Sequence, residues 1–160
     1  MKLVVIAVGR PGRVLDAPIA EYEARACRYW SLEVIEVKEE RARRGVTDTA
    51  ILDAEAQRIL QRVPRGLELI ALTRTGDAWS SKRLARHIER TGVQSEAGMA
   101  FVIGGALGLG DALLREAALR LRLSTYTMPH DMARLMLLEQ LYRAGTIVRS
   151  EPYHKGGDAS

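Results

Sequence analysis

The stretch Phe101–Asp111, FVIGGALGLGD, joins an apolar run to four glycines within seven residues and ends on an aspartate. An apolar run that does not alternate suits a strand covered on both faces. Glycine at its end removes the side chains that would hold another group away from the backbone. Asp111, opening the apolar pattern 111–119, marks a helix start. This stretch therefore reads as strand, close-approach turn and helix, the repeating unit of a parallel α/β layer.

Working outward, the same unit recurs along the chain. KLVVIAV (2–8), LEVIEV (32–37), LELIAL (67–72), MAFVIG (99–104) and LRLSTY (121–126) read as strands. Helical spacing fills 15–30, 47–63, 80–92, 111–119 and 131–148. Thr47, Ser80 and Asp111 stand where N-caps belong, and Gly92 where a helix stops. The fold class is α/β, a mostly parallel sheet with helices on both faces. One domain is expected across residues 1–160, with a flexible tail from about Gly156. The charged segment KEERARRGVTD (38–48) reads as a solvated connection, with an RNA-contacting loop as the minority reading.

Composition narrows the partners. The 160 residues carry 24 Lys plus Arg against 20 Asp plus Glu, a net charge of +4. Only Lys2, Lys38, Lys82 and Lys155 are lysines, and arginine suits bidentate phosphate contact and base stacking. Charge alone permits RNA binding without showing it, since an ordinary basic surface gives the same balance. No apolar run approaches the roughly 20 residues that span a bilayer. The single Cys27 excludes an intramolecular disulfide, and no metal-ligand spacing occurs, so a cytoplasmic location without a metal is expected.

Ligands of open parallel sheets bind beyond the carboxyl ends of the strands. Three such ends are unusual: ALTRTGDAW after the third strand, the glycine loop, and LSTYTMPHD (123–131). The glycine loop lacks the Gly-Lys-Ser/Thr of a P-loop and the spacing of a dinucleotide fingerprint. Asp111 would repel a pyrophosphate, so a neutral or cationic ligand is expected. In LSTYTMPHD, Pro129 biases Met128 toward extended backbone, leaving peptide groups free to read a purine edge between Leu123 and Met128. A plain strand–helix turn is the competing reading. His130 opens the last helix, where the helix dipole favours neutral imidazole. Glu139 and Arg143 have the spacing of a surface helix pair.

Together, FVIGG…GLG, LSTYTMPHDMARLMLLEQLYRA and the terminal EPYHK resemble the RlmH family, pseudouridine N3-methyltransferases of the SPOUT superfamily that act on large-subunit ribosomal RNA. The similarity extends to KLVVIAVGR, IAEYEAR and LTRTGDAWSS, and so covers the whole chain. It implies an α/β fold with a C-terminal trefoil knot, an obligate homodimer and S-adenosylmethionine as methyl donor. The positions matching the family's cofactor contacts are Leu72, Gly104, Leu123, Ser124, Thr125, Tyr126, Thr127 and Met128. A sulfonium donor without phosphate explains why no lysine stands among the glycines. One departure is evident: the family loop reads GGPxG with an acidic or polar residue before the third glycine, whereas Ala106 and Leu107 stand here.

The target implied by the resemblance is a pseudouridine of the helix 69 loop in 23S rRNA, presented by an assembled ribosome. His130 or His154 is the candidate proton acceptor or base-orienting group, and Arg143 the candidate stabiliser of developing charge. Tyr142 or Tyr153 would pack on the base, and the tail of one subunit would complete the pocket of the other. Arg10, Arg13 and Arg74, beside strand ends, are candidate RNA contacts. Two other readings fit parts of the pattern: a doubly wound nucleotide- or flavin-binding protein, and a non-enzymatic ribosome-binding factor.

Overall fold

A computed structural model of the protein describes residues 1–94 and 97–153. Its elements alternate as expected: β1 Lys2–Val8, α1 Asp16–Ala26, β2 Ser31–Val37, α2 Asp48–Leu60 and β3 Glu68–Ala78, then α3 Ser81–Val93, β4 Gly98–Ile103, α4 Asp111–Glu116, β5 Leu119–Arg122 and α5 His130–Val148. The five strands form one parallel sheet in the order β2-β1-β4-β3-β5.

The period-two geometry of a strand divides the core in two. Leu3, Val5 and Ala7 of β1, with Met99, Phe101 and Ile103 of β4, face α1, α3 and α5. Val4, Ile6 and Val8, with Ala100 and Val102, face α2 and α4 through Ala56, Ile59 and Leu113. Both central strands are covered on both sides, so neither sequence needed to alternate. Edge strand β2 does alternate in burial over most of its length.

Caps fix several boundaries. The Thr47 hydroxyl accepts the Ala50 N–H at 3.1 Å, and the Ser80 hydroxyl accepts that of Arg83 at 3.1 Å. Asp111, by contrast, is the first residue of α4 behind a Gly110 cap; its charge there complements the helix dipole. Gly92 lies inside α3 rather than at its end.

The strand expected at 121–126 lies instead at Leu119–Arg122. Leu119 and Arg120 pair with Ile70 and Ala71, while the Ser124 hydroxyl accepts the Tyr126 N–H at 3.0 Å and turns the chain off the ladder. The third strand runs past the expected 67–72. Leu72 and Asp77 both face Leu121, so residues 73–76 leave the ladder as a loop and pairing then resumes. Gly76 is needed there, because a β-carbon would lie 2.6 Å from the backbone of Arg120 and Leu121. From edge strand β5 the chain returns to pack α5 against α1 and α3, a path compatible with the knot.

Candidate active site

Three chain segments meet where β3 leaves its ladder and beyond the carboxyl ends of β4 and β5. They enclose a cavity of about 360 Å³, walled by residues 72–75, 103–109 and part of 123–130, with Leu114 and Ala133 closing it. Of the eight expected cofactor positions, seven line it: Leu72, Gly104, Leu123, Ser124, Tyr126, Thr127 and Met128. Thr125 does not, and is exposed.

The glycine loop makes its wall by folding on itself. Gly105 and Gly108 form an antiparallel bridge, with the Gly108 N–H donating to the Gly105 carbonyl at 3.0 Å. Gly108 has φ of +79°, and a β-carbon on Gly104 would meet the Gly108 carbonyl oxygen at 2.4 Å. Ala106 and Leu107 occupy the exposed tip. The turn therefore closes without the family's proline, through the bridge and the glycine at 108.

Charge is scarce in the walls: among the described residues, Arg74, His130 and the phenol of Tyr126 are the ionisable side chains that line the cavity, and no carboxylate does. The Thr73 hydroxyl is buried and has no hydrogen-bond partner among the described residues, a donor and acceptor suited to a polar ligand atom. Thr73, Thr75 and Leu109 were not among the expected contacts. The signal for the threonines was available, since LTRT followed a strand end.

His130 is held at the rim, with its Nε2 3.3 Å from the Arg10 carbonyl oxygen. A carbonyl only accepts, so Nε2 carries the proton and Nδ1 of a neutral ring is the free acceptor. Next to it, the Gly12 N–H donates to the Asp131 carboxylate at 3.2 Å, stitching the β1–α1 loop to the start of α5. Behind this seam the buried Arg134 donates to Glu36 at 3.1 Å. Arg10 and Arg13 are exposed on the loop, and Arg74 is exposed in the cavity wall.

The other expected residues gather at the far end of α5. Arg143 forms an ion pair with Glu139 at 2.7 Å, and its guanidinium lies over the Tyr153 ring at 5.0 Å from the centroid. The hydrogen bond that Arg143 donates to Glu139 raises the Arg143 pKa. Burial, followed by a hydrogen bond with Tyr22, pushes the Tyr153 phenol up to about 12. Tyr142 is half-buried, its ring 4.6 Å from Tyr153 and 5.7 Å from Tyr29. Within one chain, the thirteen residue steps from His130 to Arg143 span about 20 Å of helix. His154 lies outside the described residues. No group of three or more His, Cys, Asp or Glu side chains placed to hold a metal occurs among the described residues, and no described helix is long and apolar enough to cross a membrane.

Residues 1–154 match a family described as "Predicted SPOUT methyltransferase". A ribosomal RNA large subunit methyltransferase H of Gemmatimonas aurantiaca is 44% identical over 97% of this chain and 100% of its own length. A protein of the same name from Syntrophotalea carbinolica is 43% identical over 96% of this chain and 99% of its own. A probable methyltransferase from Bordetella pertussis shares the fold, with a TM-score of 0.51 at 16% identity, over 89% of this chain and 95% of that one. With a cavity walled by the glycine loop and the 123–130 turn and a match along nearly its whole length, the chain belongs to the SPOUT methyltransferases and groups with the large-subunit ribosomal RNA methyltransferases H.

Proposed function

We propose that this methyltransferase modifies N3 of a pseudouridine in the helix 69 loop of 23S rRNA, on an assembled ribosome in the cytoplasm, with S-adenosylmethionine as donor. The observation that carries the reading is the cavity itself: backbone-rich and, among the described residues, free of carboxylates, with Arg74 as the one permanently charged group in its walls. A nucleoside polyphosphate would find few partners there. A donor with an uncharged adenosine fits apolar Leu72, Leu123 and Met128, the bare backbone at Gly104, and the unpaired hydroxyl of Thr73. When bound, S-adenosylmethionine supplies a methyl carbon already activated by its sulfonium.

The chain's own contribution is alignment and proton handling. N3 of a uracil-like ring must lose a proton as the methyl group arrives, so a base is required. His130 at the rim and His154 on the tail are the candidates, and Nδ1 is the free acceptor on His130. Tyr153 keeps its proton throughout the neutral range and serves to pack or to donate. Arg143 offers positive charge toward the ring or its phosphate.

Arg143, Tyr142 and Tyr153 sit a helix length from the cavity of their own subunit, so they act on the cavity of a second one. A homodimer meets this need. It is supported by a second cleft of about 960 Å³, where Trp79, Leu121, Leu135 and Met136 leave an apolar lining beside Glu139.

Mass spectrometry of ribosomal RNA after incubation with the protein and labelled S-adenosylmethionine tests the reading. One added methyl on a large-subunit pseudouridine is the expected product; methyl on another base, or none, overturns it. Full turnover by both His154→Ala and Arg143→Ala would remove those residues from the mechanism.

A further inference from the structure

One aromatic side chain at the cavity mouth has no partner of its own. Tyr126 lines the cavity yet is 82% exposed. The other four tyrosines all take part in ring contacts, Trp79 stacks edge-on to His87, Trp30 donates to the Leu141 carbonyl, and Phe101 is fully buried. Tyr126 makes no ring, cation or side-chain hydrogen-bond contact among the described residues.

Its backbone, however, is fixed. The Ser124 hydroxyl accepts the Tyr126 N–H at 3.0 Å, and Pro129 stiffens the chain beyond it. A rigid loop therefore presents a ring whose faces remain open. A cavity ligand reaches only the small part of Tyr126 that faces inward, because a mostly exposed ring is a rim rather than a wall. Beside it on the same cavity stand exposed Leu107 and exposed Arg74. An aromatic face next to an apolar side chain and a guanidinium suits a nucleobase with its phosphate.

We propose that Tyr126 is a positioning residue for the RNA: an unstacked base of the target loop, adjacent to or identical with the modified one, stacks on its ring, while Arg74 meets the backbone phosphate. This rests on the RNA-methylating function proposed above. It gives Tyr126 a task beyond its place in the cavity wall.

The test compares Tyr126→Ala, Tyr126→Leu and Tyr126→Phe. Donor affinity is read by calorimetry with S-adenosylmethionine, and RNA affinity by equilibrium binding and KM with large ribosomal subunits. Loss of one stacked base corresponds to about a five- to 150-fold weakening. Ala and Leu are expected to raise KM and the RNA Kd within that range, by a larger factor than they raise the donor Kd, with the melting temperature unchanged. Phe, which keeps the ring, is expected to stay near wild type. Unchanged RNA affinity in Tyr126→Ala overturns the proposal, as does an equal loss of donor affinity or an altered oligomeric state that accounts for the defect. Equilibrium binding separates this from failure of the function itself: even if no methyl is transferred, weaker binding of Tyr126→Ala than of wild type to ribosomes supports the platform, and equal binding overturns it.

Discussion

A β-carbon on Gly104 would lie 2.4 Å from the carbonyl oxygen of Gly108, far inside contact distance. The two residues bracket the turn that forms one wall of the proposed donor cavity, so that turn closes only over a bare backbone. Gly104→Ala must open it. The expected cost is roughly 1–3 kcal/mol of stability, as for other overpacked sites. Donor affinity should fall at least about tenfold, since 1.4 kcal/mol of misplacement suffices. Thermal melts and calorimetry measure both.

Thr73 predicts effects of opposite sign on stability and binding. Its buried hydroxyl lacks a partner, so Thr73→Val should leave the free protein as stable or slightly more so. If the hydroxyl meets the donor, affinity falls by roughly 0.5–1.5 kcal/mol, the net worth of one hydrogen bond. An unchanged calorimetric Kd would remove Thr73 from the donor site.

Glu55 predicts a pH dependence of folding. Its carboxylate is 5% exposed, accepts the Glu40 N–H at 2.9 Å and lies beside Gly105 of the cavity turn. Burial raises its pKa, opposed by that hydrogen bond and by Arg58, with Glu39 and Glu40 adding to the rise. The folded state therefore binds its proton more tightly than the unfolded chain does. The stabilisation is complete below the unfolded carboxylate pKa and is lost as pH climbs through the raised folded value. Glu55→Gln keeps an acceptor for Glu40 and removes the charge. Denaturant midpoints of wild type should fall relative to the variant across that window, and parallel curves would contradict this account.

Gly145 predicts a coupling. A β-carbon there would lie 2.4 Å from the Tyr29 ring and 2.6 Å from the Tyr29 β-carbon. Gly145→Ala should therefore displace Tyr29, break its hydrogen bond to Glu151, and cost about 1–3 kcal/mol. In a Tyr29→Gly background, which removes the β-carbon as well as the ring, the same change should be neutral or stabilising by up to about 1 kcal/mol, the helix propensity of alanine over glycine. A double-mutant cycle from melting curves reads the difference.

The strands were legible where burial dictated composition. Leu3–Val8 and Met99–Ile103 are covered on both faces, and their unbroken apolar character says so directly. Where pairing rather than burial decides, the sequence is silent. Nothing in LTRTGDA distinguishes a strand end from a strand that leaves its ladder for four residues and rejoins it opposite the same Leu121. The end of β5 was misplaced because a serine hydroxyl competes for the backbone there, a local contact that apolar spacing does not register. The cavity positions at 104 and 123–128 followed from the family resemblance, with Thr125 the exception. His130 and Arg143 sit on one short stretch of sequence. Helical rise turns that stretch into a distance no side chain bridges.

The proposed donor cavity draws its walls from segments about thirty and twenty residues apart along the chain, one where β3 leaves its ladder and one after each of its two neighbours, β4 and β5. No fragment of the protein holds a partial version of it, and the pocket appears only when the last strand has docked. Saturating donor should consequently shift the global melting transition rather than a local one. Its retention by a refolding chain then serves as a clock for completion of the whole fold.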